Sequence, residues 1–420
     1  MIRSSVAKGT VTAPPSKSYT HRAMVLGALT HSEVKLINPL ISEDTKATMI
    51  ALRNTGSEIR TSSRGISVLC DELVPPRTIL DAKNSGTTIR LMTGIASLLP
   101  KATTLTGDES LIRRPMGPLV DALQQLGAEA KYLGKTGMPP LSIQGPITGS
   151  EAKIQGDVSS QFVSSLLIAC LKKKGDTEIH LKGELRSRPY VDITLSMIAD
   201  FDGRVEESKN VFHVPGSQDL RMDTYTIPGD YSSSSFPLVA AAITGGQVAV
   251  KNLDRDSPQG DRAIIDHLRA FGAKVTVGSK SVEVVGGRLV GTEIDVKHTP
   301  DLFPILAVIG AVAEGRTVLK GGENLRSKES DRISTTTDFL GRMGARIRAK
   351  PDGCEVEGVD RLHGAAVDTK GDHRILMAAA VAGLVSTSET RIEDSESYAV
   401  SYPGFITDMH QLGCRLAVTK

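Results

Sequence analysis

The sequence predicts an α/β (α+β) protein assembled from six copies of one unit. Three observations carry that expectation. First, a short frame recurs as TGSEI (55–59), LGAEA (126–130), FDGRV (201–205), FGAKV (271–275), MGARI (343–347) and LGCRL (412–416). Its second residue falls at 56, 127, 202, 272, 344 and 413, so successive copies lie 71, 75, 70, 72 and 69 residues apart and fill the chain of 420 residues. A fixed period of this kind marks a repeated fold unit. Second, each frame closes an amphipathic helix and is followed by a short alternating stretch. Third, a more apolar helix stands earlier in every copy. Strands alternating with helices along a whole chain indicate an α/β or α+β protein.

The helix ahead of the frame is read from its stripe. Leu119, Val120, Leu123 and Leu126 repeat the spacing of Ile264, Ile265, Leu268 and Phe271, and of Phe405, Ile406, Met409 and Leu412. Positions i, i+1, i+4 and i+7 share one helix face. The glycine after the stripe predicts a left-handed cap. Runs such as AKVTVGS (273–279) then read as strands.

The earlier helices are SYTHRAMVLGALT (18–30), SGTTIRLMTGIASLL (85–99), SSQFVSSLLIACL (159–171), SSSSFPLVAAAIT (232–244), PDLFPILAVIGAVA (300–313) and DHRILMAAAVAGLV (372–385). Beyond their first turns they are apolar nearly all round, which predicts burial. Their first turns hold Ser, Thr, Asn, Asp and Gln, residues that cap helix starts. A buried helix start presents N–H groups and partial positive charge, and several together suit an anion. Each alone needs no role beyond that of a capped core helix; six in register argue for more. Proline-marked joints at 13–18 and 226–233 enclose three copies, which partitions the chain into three copies per lobe.

Composition narrows the function. The chain is 40% apolar and 23% charged with a net charge of +2, a balance unlike that of a dedicated nucleic-acid binder. Trp is absent and aromatic residues are 4%, which disfavours base-stacking platforms. Cys70, Cys170, Cys354 and Cys414 are far apart and the histidines lack ligand spacing, so neither a disulfide framework nor a metal site is expected. The first residues hold no apolar signal segment, and runs such as 375–385 are too short to cross a bilayer. A cytoplasmic protein without a membrane partner is expected.

Chemistry-bearing residues gather at the helix starts. PPSKSYTHR brings Lys17, Ser18 and Arg22 to the first. In DAKNSGTTIR, Gly86 permits close backbone approach beside Asn84, Ser85 and Thr87. This stretch lacks the GxxxxGK[ST] pattern, so ATP hydrolysis is not supported. GDESLIRRPM sets Arg113 and Arg114 before Pro115, and arginine offers a planar fork to carboxylate or phosphate. In SSQF a cap explains Ser159 but not Ser160 and Gln161. Asp301 opens an apolar helix, as a cap or as a carboxylate facing cations and able to act as a base. NLRSKESDRI interleaves Arg326, Lys328, Glu329, Asp331 and Arg332; KGDHRILMAAA sets Asp372, His373 and Arg374 before a buried helix. Lys17, Arg22, Arg114, Lys328, Arg332 and Arg374 against Asp301, Glu329 and Asp372 suit an enzyme acting between small phosphate- and carboxylate-bearing substrates.

These motifs, in order and spacing from about Gly9 to Phe405, resemble the 5-enolpyruvylshikimate-3-phosphate synthase family. The resemblance implies two lobes of three βαβαββ units each, an inverse βα barrel with helices inside and sheets outside. It implies lobes of residues 13–228 and of 1–12 with 229–420, with the site in the cleft between them. It implies transfer of the enolpyruvyl group of phosphoenolpyruvate to the 5-hydroxyl of shikimate 3-phosphate, without a cofactor and by a monomer. Shikimate 3-phosphate would meet Lys17, Ser18, Arg22, Ser159, Ser160, Gln161, Ser187, Tyr190, Asp301, Asn324 and Lys328. Phosphoenolpyruvate would meet Lys17, Asn84, Gly86, Arg114, Gln161, Arg332 and Arg374. Asp301 would take the hydroxyl proton and Glu329, or its rival Lys328, would supply the proton at C3; both carboxyls would need pKa values moved toward neutrality. Lys17 would offset charge on the leaving phosphate, and His373 joins the catalytic set. The lobes are expected to close on anionic ligands.

One departure stands out. Many family members carry lysine where this chain has Val400, so weaker phosphoenolpyruvate binding is expected, with a lower Michaelis constant in Val400→Lys. Glyphosate, which takes the phosphoenolpyruvate place in the family, is expected to inhibit, and Gly86→Ala to blunt it. Two rival readings are a UDP-N-acetylglucosamine enolpyruvyl transferase and a non-catalytic repeat scaffold. The first family uses a cysteine in the loop matching 107–115, where this chain has none; the second should carry its cations on exposed faces.

Overall fold

Every frame ends its helix on a residue at positive φ. Gly56, Gly127, Gly272, Gly344 and Gly413 lie between +81° and +101°, and Asp202 takes the left-handed conformation at +59°. The structure, a computed structural model, describes residues 1–63, 65–394 and 396–418. Two compact units divide the chain: Ser16–Ile227, and Met1–Pro15 together with Pro228–Lys420.

Each copy holds two helices. The first unit has α1 (Lys17–Gly27), α2 (Glu43–Asn54), α3 (Gly86–Ala96), α4 (Gly117–Gln125), α5 (Ser160–Lys172) and α6 (Arg188–Asp200). The second has α7 (Tyr231–Thr244), α8 (Ile264–Ala270), α9 (Phe303–Val312), α10 (Arg332–Arg342), α11 (His373–Gly383) and α12 (Phe405–Gln411). The odd-numbered helices are the apolar ones, and they are buried almost throughout. In the first unit α1, α3 and α5 pack together; in the second α7, α9 and α11 do. The even-numbered helices bury one stripe, as α4 does with Leu119, Val120, Ala122 and Leu123.

The sheets share one strand order. In the second copy Leu80–Asp81 runs parallel to Thr103–Thr106, which pairs antiparallel with Leu141–Gln144, itself antiparallel to Glu129–Tyr132. The third copy repeats this with Glu151–Gln155, Thr177–Lys182, Val211–Val214 and Glu206–Ser208. So does the fifth, with Glu293–Asp295, Arg316–Lys320, Gly353–Glu357 and Arg346–Lys350. Strands such as Glu151–Gln155 alternate exposed and buried residues, so one sheet face covers the helices and the other meets solvent.

Three copies borrow a strand from elsewhere in the chain. Thr224–Thr226 supplies the leading strand of the first copy, parallel to Val34–Ile37. Lys8–Thr12 does the same for the fourth, parallel to Gln247–Lys251. In the sixth, Ile2–Arg3 pairs antiparallel with Arg415–Leu416, and Ile2 also bridges Thr390 beside Arg391–Ile392. The two-lobed α/β expectation holds, but among the described residues the strands form separate open sheets and no closed barrel.

Candidate active site

In the Ser16–Ile227 unit the expected residues converge on the starts of α1, α3 and α5. Lys17, first in α1, pairs its Nζ with Asp44 Oδ2 at 2.9 Å. Asp44 stands in the first turn of α2, and its backbone carbonyl accepts from Thr88 Oγ1 of α3 at 3.2 Å. Ser85 caps α3 by accepting from Thr88 N at 3.1 Å. Gly86 follows at the mouth of that helix. A Cβ there would lie 3.0 Å from Arg90 Nη1 and 3.2 Å from Arg114 Nη1, so two guanidinium groups flank the glycine. Arg114 is 5% exposed and donates to Asn84 Oδ1 at 2.6 Å and to Ser110 Oγ at 3.2 Å. Asn84 in turn donates to Asp108 at 2.7 Å. Gln161 spans α5 and α3: its Oε1 accepts from Arg90 at 2.5 Å and its Nε2 donates to Thr87 at 2.9 Å. Ser159 caps α5 toward Gln161 N, and Ser160 is buried beside it.

Arg22 is placed by the fold. Its Nε donates to Thr194 at 2.7 Å, Nη1 to the Ser18 carbonyl at 3.0 Å, and Nη2 to Ser164 and the Tyr190 carbonyl. That fixes the guanidinium between α1, α5 and α6, and ties Ser18 and Tyr190 to one cation. Ser187, at φ +52°, precedes α6 without a side-chain capping bond. Arg113 lies outside the cluster: it is exposed and faces Glu109 at 3.6 Å. Arg113 ends the 3-10 turn Leu111–Arg113, and Arg114 follows it in extended backbone.

In the other unit Asp301, Lys328, Glu329, Arg332, Asp372 and Arg374 form one network. Arg332, first in α10 and 1% exposed, donates to Asp372 Oδ2 (2.8 Å), Asp301 Oδ1 (2.7 Å) and Glu329 Oε2 (2.8 Å). Asp301 also faces Arg374 at 3.1 Å and Lys328 at 4.0 Å. Asp372 caps α11 by accepting from Arg374 N at 2.9 Å. His373 is buried in the first turn of α11, with Nδ1 3.8 Å from Asp372. Asn324 lies on the 3-10 turn Glu323–Ser327; its Oδ1 is buried and meets no donor among the described residues.

Two expectations about Asp301 change. It does not open a helix: it sits in the 3-10 turn Pro300–Leu302, and α9 begins at Phe303 without a side-chain cap. Nor is its carboxyl moved toward neutrality. Burial pushes it up, but Arg374, Lys328 and Arg332 outweigh burial and hold it well below the usual carboxylate range.

Sequence reasoning missed several partners. Asp44 reads as an ordinary acidic residue in the first turn of a helix, and Arg90 stands inside a quoted motif without a role. Asp230 and Asp261 are buried near Arg374 and Asp301, and only folding brings them there.

Comparison with known proteins now decides the family. Residues 3–409 match EPSP synthase (3-phosphoshikimate 1-carboxyvinyltransferase). The chain belongs to this family. A relative from Methanocella arvoryzae, named 3-phosphoshikimate 1-carboxyvinyltransferase, is 46% identical over 99% of both chains. One of the same name from Methanothrix thermoacetophila is 47% identical over 99% of this chain and 98% of its own. A solved EPSP synthase structure from Acinetobacter baumannii is 30% identical, with a TM-score of 0.83 over 100% of this chain and 99% of that one. The match favours this family over a UDP-N-acetylglucosamine enolpyruvyl transferase or a scaffold.

Proposed function

We propose that the chain transfers the enolpyruvyl group of phosphoenolpyruvate to the 5-hydroxyl of shikimate 3-phosphate and releases phosphate. The family membership supports the reaction. The observation that carries the chemistry is the Asp301 carboxylate held among Arg332, Arg374 and Lys328.

The reaction is addition followed by elimination. The 5-hydroxyl oxygen bonds to C2 of phosphoenolpyruvate, its proton leaves, and C3 gains a proton. The adduct then loses the C3 proton and phosphate from C2, which restores the double bond. Asp301 is the acceptor of the hydroxyl proton. It is held ionised but weakly basic, because three cations surround it. An anionic substrate drawing on Arg332, Arg374 and Lys328 loosens that hold and raises its basicity. Glu329 is the candidate donor at C3, with Lys328 its rival.

In the other unit, Lys17 and Arg114 with the Gly86 backbone suit phosphoenolpyruvate, and Gln161 reaches toward both substrates. Ser18, Arg22, Ser159, Ser160, Ser187 and Tyr190 suit shikimate 3-phosphate, and Asn324 Oδ1 offers an acceptor for one of its hydroxyls. Removing one such group typically costs about 10²–10⁴ in rate. The test is phosphate release from phosphoenolpyruvate with and without shikimate 3-phosphate. Release that requires both substrates supports the reading, and its absence overturns it.

A further inference from the structure

Two acceptors orient Nη2 of Arg114, and one carboxylate holds both. Nη2 donates to Asn84 Oδ1 at 2.6 Å and to Ser110 Oγ at 3.2 Å. Asp108 Oδ2 accepts from Asn84 Nδ2 at 2.7 Å, while its Oδ1 accepts from the backbone N–H of Ser110 at 3.0 Å and of Leu111 at 2.8 Å. The backbone of Asp108 adds two bonds: its N–H donates to the Lys83 carbonyl at 2.9 Å, and its carbonyl accepts from Ile112 N at 3.0 Å. Asp108 thus latches the loop that carries Asn84 into α3 onto the turn that carries Arg114. Gly107 permits the close approach, because a Cβ there would lie 2.5 Å from the Lys83 carbonyl oxygen.

We infer that Asp108 is a positioning residue for Arg114: through Asn84 and Ser110 it sets where that guanidinium meets an anion, without touching the anion itself. The inference rests on the reading of Arg114 as a phosphoenolpyruvate ligand.

The hydrogen-bonding roles leave one arrangement. An ionised carboxylate only accepts, and a guanidinium only donates. The Asn84 amide between Asp108 and Arg114 must therefore turn its NH2 to Asp108 and its oxygen to Arg114. The bond to the carboxylate is charge-assisted, stronger than one between neutral groups, so it fixes the amide. The second acceptor is fixed from the same side: Asp108 Oδ1 holds the Ser110 N–H, which keeps the Ser110 hydroxyl within reach of Nη2. Placement of the fork decides its worth, because a guanidinium binds carboxylate or phosphate through paired, directional bonds.

The test is Asp108→Asn, alone and combined with Asn84→Ala. The oxygen of the new amide keeps the Ser110 and Leu111 N–H groups, so the turn persists. Its NH2 then faces the NH2 of Asn84. The Asn84 amide has to turn over, which presents a donor to Arg114 where an acceptor stood. The Michaelis constant for phosphoenolpyruvate rises about tenfold, while that for shikimate 3-phosphate stays within about twofold and kcat within about threefold. In the Asn84→Ala background the same substitution adds little, because the amide through which it acts is gone. An unchanged phosphoenolpyruvate constant in Asp108→Asn overturns the inference. So does an equal rise in both Michaelis constants, or a full effect in the Asn84→Ala background. Thermal melting gives a reading that needs no turnover. The melting temperature of Asp108→Asn stays close to that of the unaltered protein; a fall of more than about 5 °C would show that the carboxylate serves the fold rather than Arg114. Absence of phosphate release in the unaltered protein would instead strike the reaction itself.

Discussion

His21 shows how one buried residue couples the site to stability. Its Nδ1 lies 2.7 Å from Thr48 Oγ1, which lies 2.7 Å from Thr88 Oγ1 at the start of α3. Burial, then the charges of Lys17 and Arg22, lower its pKa well below the usual histidine value. The unfolded chain therefore binds a proton below about pH 6.5 that the folded chain refuses, so stability falls as pH drops through that range. The slope approaches about 1.4 kcal/mol per pH unit for one proton. Denaturant unfolding at pH 7.5 and 5.5 should show a smaller difference in His21→Asn, and an equal difference would remove His21 as the cause. At Gly86 the added methyl of alanine meets the ends of two flexible side chains, Arg90 and Arg114, rather than backbone. Gly86→Ala is thus expected to fold normally, move both guanidinium groups and raise the Michaelis constant for phosphoenolpyruvate by about tenfold, on the scale of 1.4 kcal/mol. Glyphosate inhibition should weaken with it. Steady-state kinetics with and without glyphosate checks both.

At the scale of elements, the repeat depends on how each amphipathic helix ends. The left-handed residue after the stripe turns the chain directly into the next strand. Five copies use glycine, and the third uses Asp202, one of the few other residue types that tolerate this conformation. At Gly56 both requirements coincide: φ is +101°, and a Cβ would lie 2.7 Å from the Glu72 carbonyl oxygen. Gly56→Ala should cost about 2 kcal/mol from backbone strain and the clash. Asp202→Ala should cost less, since an L-residue already occupies that place. Chemical denaturation of the two variants compares them directly. The period and the glycine were visible in the residues, so helix and strand placement was legible. That the strands stay in separate open sheets was not, because pairing depends on which edges meet, and hydrophobic alternation is the same for an open sheet and a closed one.

The whole molecule depends on chain segments distant in sequence. Ile2 is 3% exposed and sits between Thr390 and Leu416, while Lys8–Thr12 extends the sheet of the fourth copy. Removing residues 1–15 should strip a strand from two sheets of the Pro228–Lys420 unit and expose their edges. That unit should melt earlier while Ser16–Ile227 keeps its own transition, which calorimetry resolves. A single unchanged transition would show that these strands matter little. The candidate site was legible at the level of residue type: Lys17, Arg22, Gly86, Arg114, Gln161, Arg332 and Arg374 stand in motifs at or just before helix starts, and Asp301 in the 3-10 turn ahead of α9. Their partners were less so, because Asp44, Arg90 and Asp261 carry no local signal.

By itself the sequence determined the sixfold unit, the buried and amphipathic helices, and the gathering of basic and hydroxyl-bearing residues at helix starts, since period, hydropathy and capping are local properties. Only the tertiary structure decided the charge state at the centre. Asp301 looked like a base moved toward neutrality, yet three cations from separate elements hold it ionised, while burial pushes up the nearby carboxyls of Asp230 and Asp261, both unremarked in sequence. Electrostatic energies depend on distance and burial in space, and neither follows from position along the chain.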